Sequence, residues 1–103
     1  MEHDQVANIL AELGNSTRLA IFRFLVKAGP EGAPVGKIQE MLGIPGSTLS
    51  HHISRLVAVG LVLQERESRT LHCRPQFETV HNVLGFLTSE CCVGVDNLEE
   101  TAA

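Results

Sequence analysis

The chain has 103 residues, 44% of them hydrophobic, with a formal net charge of −4 and three cysteines. That length holds one compact domain and not two, and no apolar run approaches the ~18 residues of a membrane span. The acidic start, MEHDQVANIL, lacks the basic-then-apolar order of a secretory leader, so a cytoplasmic location is expected, and an odd cysteine count points to free thiols rather than a disulfide framework.

Val6, Ile9, Leu10 and Leu13 recur at helical spacing and Gly14 stops them, which predicts a first helix over about 4–13. A second helix follows, capped by Asn15 or Ser16, with Leu19, Ile21, Phe22, Leu25 and Val26 as its apolar stripe and Gly29-Pro30 as its end. The segment PEGAP reads as a loop, and Pro34 suits a first helical turn. Ile38, Met41 and Leu42 then give a short third helix stopped by Gly43. Ser47 is placed to cap a fourth, whose Leu49, Ile53 and Leu56 face the core before Gly60 closes it. The period then shortens: LVLQERESRTLHCRP predicts strands near 61–66 and 70–74 around a turn at Glu67-Ser68-Arg69. Phe77, Val80, Val83, Leu84 and Leu87 return to helical spacing in a last helix that carries Cys91 and Cys92 at its end.

The expected fold is mainly α with a β-hairpin wing. Two short helices joined at Gly43 have the form of a helix-turn-helix, and the hairpin makes it winged. Residues 1–93 would form this DNA-binding and dimerisation domain, with 94–103 a flexible acidic tail. Such a domain lays its second short helix in the major groove of double-stranded DNA. Ser47, Thr48, Ser50, His51, Ser54 and Arg55 are then left to face bases and phosphates, while Arg66 and Arg69 on the wing reach the backbone or minor groove. A lone helical histidine is more often structural than a reader, so His52 is expected to be partly buried. Charge distribution fits this use. All eight Lys and Arg lie between residues 15 and 75 with only four acids, a local charge of +4, and the flanks hold the other eight acids.

The stretches NSTRLAIFRFL, LGIPGSTLSHHISRLVAVGLV and ERESRTLHCRP resemble the ArsR/SmtB family of bacterial metal-responsive repressors, over about residues 5–92. The resemblance implies a homodimer, paired through its first and last helices, whose repression an inducer relieves. Two features of the family are missing: GKIQEMLG lacks the Cys-x-Cys of many arsenic and cadmium sensors, and Glu78, His81 and Glu90 do not make the paired spacing of its zinc sensors. The Cys91-Cys92 pair is instead similar to members that respond to trivalent arsenic or antimony.

Those metalloids favour thiolates, and three sulfurs, Cys73, Cys91 and Cys92, would complete a pyramidal site, whereas a methylated arsenical needs only two. Zinc would want a fourth ligand. Cys73 precedes the last helix and the pair ends it, so a shared site is expected between subunits. By itself Cys73, on one strand face with Leu71, reads more as a core residue than as a ligand. No permanent cofactor is expected. The alternative within the same fold is a redox- or persulfide-sensing repressor. An enzyme is disfavoured, because there is no Gly-rich phosphate loop and no acid–base pair at useful spacing.

Overall fold

The computed structural model describes residues 1–98 of the chain. Its elements run α1 (His3–Leu13), α2 (Ser16–Ala28), β1 (Ala33–Pro34), α3 (Val35–Leu42), α4 (Gly46–Ala58), β2 (Val62–Glu67), β3 (Thr70–Pro75), α5 (Phe77–Thr88) and a 3-10 turn, η1 (Val95–Asn97). Helices α3 and α4 form the helix-turn-helix, and β2 and β3 form the wing.

Local chemistry sets most of these boundaries. Asn15 caps α2 by accepting a hydrogen bond from the Arg18 amide. Gly43, at φ 65°, takes the left-handed turn between α3 and α4 that a side chain disfavours. Ser47 does not cap α4. The helix starts one residue earlier, at Gly46, with Pro45 in the cap position and no side-chain cap bond. The proline ring already holds the extended entry into the helix, so the Ser47 hydroxyl is not used there. Pro34 likewise sits one place before α3 rather than inside its first turn.

The segment expected to be a loop supplies a third strand. β1 pairs antiparallel with β3, Ala33 opposite Cys73 and Pro34 opposite His72, giving the sheet order β1-β3-β2. A two-residue strand containing proline carries no periodicity to read. What allows it is Gly32, at φ 66°, where a Cβ would lie 1.8 Å from the Cys73 carbonyl oxygen.

The core is built from Val6, Ile9, Ile21, Phe22, Leu25, Ile38, Leu49, Ile53, Leu56, Leu61, Val62 and Val83, with Cys73 fully buried among them. Removal of one such large side chain costs about 2–5 kcal/mol. Several stripe residues depart from expectation. Leu19 and Met41 are exposed, as are Leu10 of α1 and Leu84 and Leu87 of α5. Of the α5 stripe only Val83 is fully inside.

The last helix ends at Thr88, so Cys91 and Cys92 lie beyond it rather than on it. The Thr88 hydroxyl donates to the Leu84 carbonyl and the Ser89 hydroxyl to that of Phe86, and Ser89 turns extended. Of the expected tail, Val95–Asn97 forms η1, and 99–103 lie outside the described residues.

Candidate nucleic-acid interface and dithiol site

Helix α4 buries Leu49, Ile53 and Leu56 and turns its other faces to solvent. Ser47, Thr48, Ser50, His51 and Ser54 are all exposed, in the first two-thirds of the helix. Ser54 donates its hydroxyl to the His51 carbonyl, leaving its oxygen lone pairs outward. His52 is half-buried and accepts a hydrogen bond at Nδ1 from Nη1 of Arg18, 3.3 Å away. Arginine only donates, so the imidazole is neutral with its proton on Nε2. Desolvation first, then the charge of Arg18, pushes the His52 pKa down.

Arg55 departs from the expected role. Its side chain stays 49% exposed, but its guanidinium clasps Glu12 of α1: Nε donates to Oε1 and Oε2 at 2.9 and 2.8 Å, and Nη2 to Oε1 at 2.7 Å. The geometry is physical necessity at this spot. Glu12 is only 7% exposed, and a buried carboxylate demands a charged partner. Arg18 adds to it, with Nε donating to the Glu12 backbone carbonyl at 2.8 Å and Nη2 3.7 Å from the carboxylate. Arg55, chiefly through its hydrogen bonds, holds the Glu12 carboxyl below the ordinary carboxylate range. Sequence reasoning missed Glu12. The legible signal was an acid on the apolar side of an amphipathic helix, in line with Ile9 and next to Leu13.

On the wing, Arg74 bonds Glu65 and Glu67 across the β2–β3 ladder, and holds the Glu67 carboxyl down. That pairing occupies two of the wing's acids. Arg66 and Arg69 are exposed and, among the described residues, form no ion pair. With Lys37, they line a concavity between the wing and the start of α3, where Pro34, Val35 and Gly36 form the other wall. His72 turns away from Cys73 and hydrogen-bonds the Glu31 carbonyl through Nε2 at 2.6 Å.

The three thiols separate into two environments. Cys73 is fully buried, opposite Gln64, whose Nε2 donates to Sγ at 3.8 Å, and burial pushes its pKa up. This corrects the expectation of a third thiolate presented for sharing: the Cys73 face of β3 is the core face, covered by α2 and α3. Cys91 and Cys92 are exposed, with their Sγ atoms 3.0 Å apart. The helix has ended before them, and Glu90 and Cys92 adopt left-handed φ of 58° and 67°, which turns the two side chains together. Their mutual hydrogen bond, with a smaller effect of burial, raises the Cys91 pKa. Among the described residues no group of three or more His, Cys, Asp or Glu side chains converges as a metal site. The arrangement offers a two-sulfur chelate in each chain.

Comparisons with known proteins agree with this geometry. A family described as a helix-turn-helix domain matches residues 13–65, from the end of α1 into the wing. The nodulation protein NolR of Rhizobium meliloti is 33% identical over 94 residues, covering 91% of this chain and 75% of that protein. The crystal structure of NolR from Sinorhizobium fredii superposes with a TM-score of 0.66 at 33% identity, covering 82% of each chain. The homodimeric winged helix-turn-helix DNA-binding domain of Mb0332 from Mycobacterium bovis, a possible ArsR-family transcriptional regulator, superposes with a TM-score of 0.68 at 26% identity, covering 82% of this chain and 77% of that one.

Proposed function

The chain belongs to the ArsR-type winged helix-turn-helix transcriptional regulators, and on that premise we propose that it is a homodimeric, operator-binding repressor, released when Cys91 and Cys92 capture a trivalent arsenic or antimony species. DNA recognition falls to Ser47, Thr48, Ser50, His51 and Ser54, the exposed polar face of α4. Short hydroxyls there allow close approach to base edges and phosphates. Arg66 and Arg69, with Lys37, supply phosphate contacts from the wing concavity. Two α4 helices about one DNA turn apart, ~34 Å, would read the two halves of an operator.

The observation that carries the inducer reading is the pair of exposed sulfurs 3.0 Å apart. Soft trivalent centres bind thiolates in preference to oxygen or nitrogen, and a vicinal pair closes a chelate on one ion. An arsenical with one arsenic–carbon bond is saturated by two sulfurs, so this site does not need Cys73. The pair follows α5 directly, so a captured ion lies at the helix expected to form the dimer seam. A coupling of roughly 1–3 kcal/mol between that seam and the reading helices, 5- to 150-fold in affinity, releases an operator.

The test is release of an operator duplex by phenylarsine oxide, arsenite, antimonite, zinc and peroxide. Arsenical release is expected for the wild type and for Cys73→Ser, and is lost in Cys91→Ser and Cys92→Ser. If a chain lacking all three thiols still lets go of DNA on adding arsenite, the inducer reading is wrong. Release by peroxide alone, abolished by either Cys91→Ser or Cys92→Ser, would favour a redox sensor instead.

A further inference from the structure

Glu12 is out of place by every local criterion. It occupies a core position in the last turn of α1, where the helix dipole disfavours an anion. A leucine or methionine would fill the space, and exchanging a buried ion pair for apolar side chains is often neutral or stabilising. What an ion cluster supplies and a hydrocarbon does not is directional geometry. The fork of Arg55 on the two Glu12 oxygens fixes distance and angle together.

The cluster also reaches α4 at a second point. Arg18 bonds the Glu12 carbonyl through Nε and the Glu12 carboxylate through Nη2, while its Nη1 donates to Nδ1 of His52. His52 and Arg55 are three residues apart and so share one face of α4. Two attachments one turn apart hold a helix against rotation about its axis as well as against sliding. Ser47, Thr48, Ser50 and His51 radiate from the same axis, so a small rotation moves all of them relative to a base edge.

We propose that Glu12 is a positioning residue for operator recognition: through Arg55 directly and through Arg18 and His52 indirectly, its carboxylate locks the rotation of α4 against α1. Arg55 then serves the interface by anchoring the reading helix, and not by touching DNA. Because α1 is one of the helices expected at the dimer seam, the same clamp ties the attitude of α4 to the pairing of the two chains. This rests on α4 being the reading helix.

Positioning and simple electrostatics predict opposite signs. Removing a negative charge from beside a DNA-facing helix strengthens attraction to phosphates, and it also frees Arg55. Loss of the clamp weakens sequence recognition. Glu12→Gln keeps the shape and removes the charge. Its affinity is to be measured for a duplex that the wild-type dimer selects from a random-sequence library, and for an unrelated duplex, at one salt concentration.

The expected result is a roughly tenfold loss for the selected duplex, with affinity for the unrelated duplex unchanged or higher. Unchanged or tighter binding of the selected duplex would overturn the proposal. If Glu12→Gln melts below the assay temperature, Arg55→Lys replaces it, since lysine keeps the charge and lacks the fork. The same fall in the ratio of selected to unrelated affinity is expected, and an unchanged ratio overturns the proposal. A wild-type protein that enriches no sequence would refute the recognition role of α4 and this inference with it. A wild type that enriches a sequence which the variants bind equally well refutes this inference alone.

Discussion

At the scale of single residues, the deciding quantity is whether a polar side chain finds its partner in the protein or leaves its capacity for something else. Ser47, Thr48, Ser50 and His51 are exposed; Arg55, exposed as well, and the half-buried His52, from the same helix, are bonded into the Glu12 and Arg18 cluster. His52 provides a titration to follow. Its folded pKa lies below its ordinary value of 6.5, first through desolvation and then through Arg18. The unfolded chain therefore takes up this proton more readily than the folded one. The His52 contribution is intact above about pH 6.5 and is lost as the pH falls below it. Against a His52→Gln variant, the wild-type melting temperature should hold a constant offset above about pH 7 and lose ground on the way to about pH 5. A flat offset across that range would show that His52 titrates as it does in the unfolded chain. Glu12 adds a second loss of the same sign, lower down, as pH falls through its depressed folded pKa.

At the scale of elements, the end of α5 decides what the thiols can do. Had the helix run on through Cys92, adjacent side chains would diverge by about 100° and could not share an ion. At its end the Thr88 hydroxyl bonds the Leu84 carbonyl and the Ser89 hydroxyl that of Phe86, side-chain bonds that compete with continuation of the helix, and Ser and Cys are weak helix formers. Thr88→Ala with Ser89→Ala should lengthen α5 and pull the sulfurs apart. Phenylarsine oxide binding, followed by calorimetric titration, is expected to weaken by about tenfold or more, with both cysteines intact. Equal affinity would mean that the dithiol geometry does not depend on where the helix ends. The pH dependence belongs to the same element. The thiolate is the attacking form, each thiol proton leaves with an arsenic-bound hydroxyl as water, and Cys91 holds its proton more tightly than usual. The rate of arsenical capture, followed by stopped flow, should therefore rise from about pH 6 to 8 and go on rising above the pKa of an ordinary thiol, ~8.5.

At the scale of the whole molecule, one chain leaves apolar surface that a single copy does not use. Leu84 and Leu87 on α5 are each 55% exposed, and Leu10 on α1 is 40% exposed. The Phe86 ring of α5 packs near His3 of α1, with centroids 6.2 Å apart, so the two helices approach one another at that end of α1. In the proposed homodimer, a second copy seated there would bring two α4 helices to one operator. Leu84→Glu with Leu87→Glu should give a monomer by sedimentation and reduce operator affinity by a factor of about 100 or more, since a single half-site is then bound. A double variant that remains dimeric would place the seam elsewhere.

Much of this was legible from periodicity. Four helices, the hairpin after them and the last helix follow from apolar spacing and from stop signals at Gly14, Gly29 and Gly43, because burying one face is a demand that each segment meets locally. The polar face of α4 was legible for the same reason: Leu49, Ile53 and Leu56 define its complement. Contacts between segments distant in sequence were not. Whether Arg55 faces DNA or Glu12, 43 residues away, depends on how α1 crosses α4. Whether Cys73 is a ligand or a core residue depends on α2 and α3 packing onto its face of the sheet, and β1 pairs beside it through a glycine whose close approach to the Cys73 carbonyl no local pattern announces. The sequence by itself determined which faces are apolar, because hydrophobic burial acts segment by segment. Only the tertiary structure decided which charges and thiols meet, because pairing energies fall off within a few ångströms and are set by neighbours the chain brings from elsewhere.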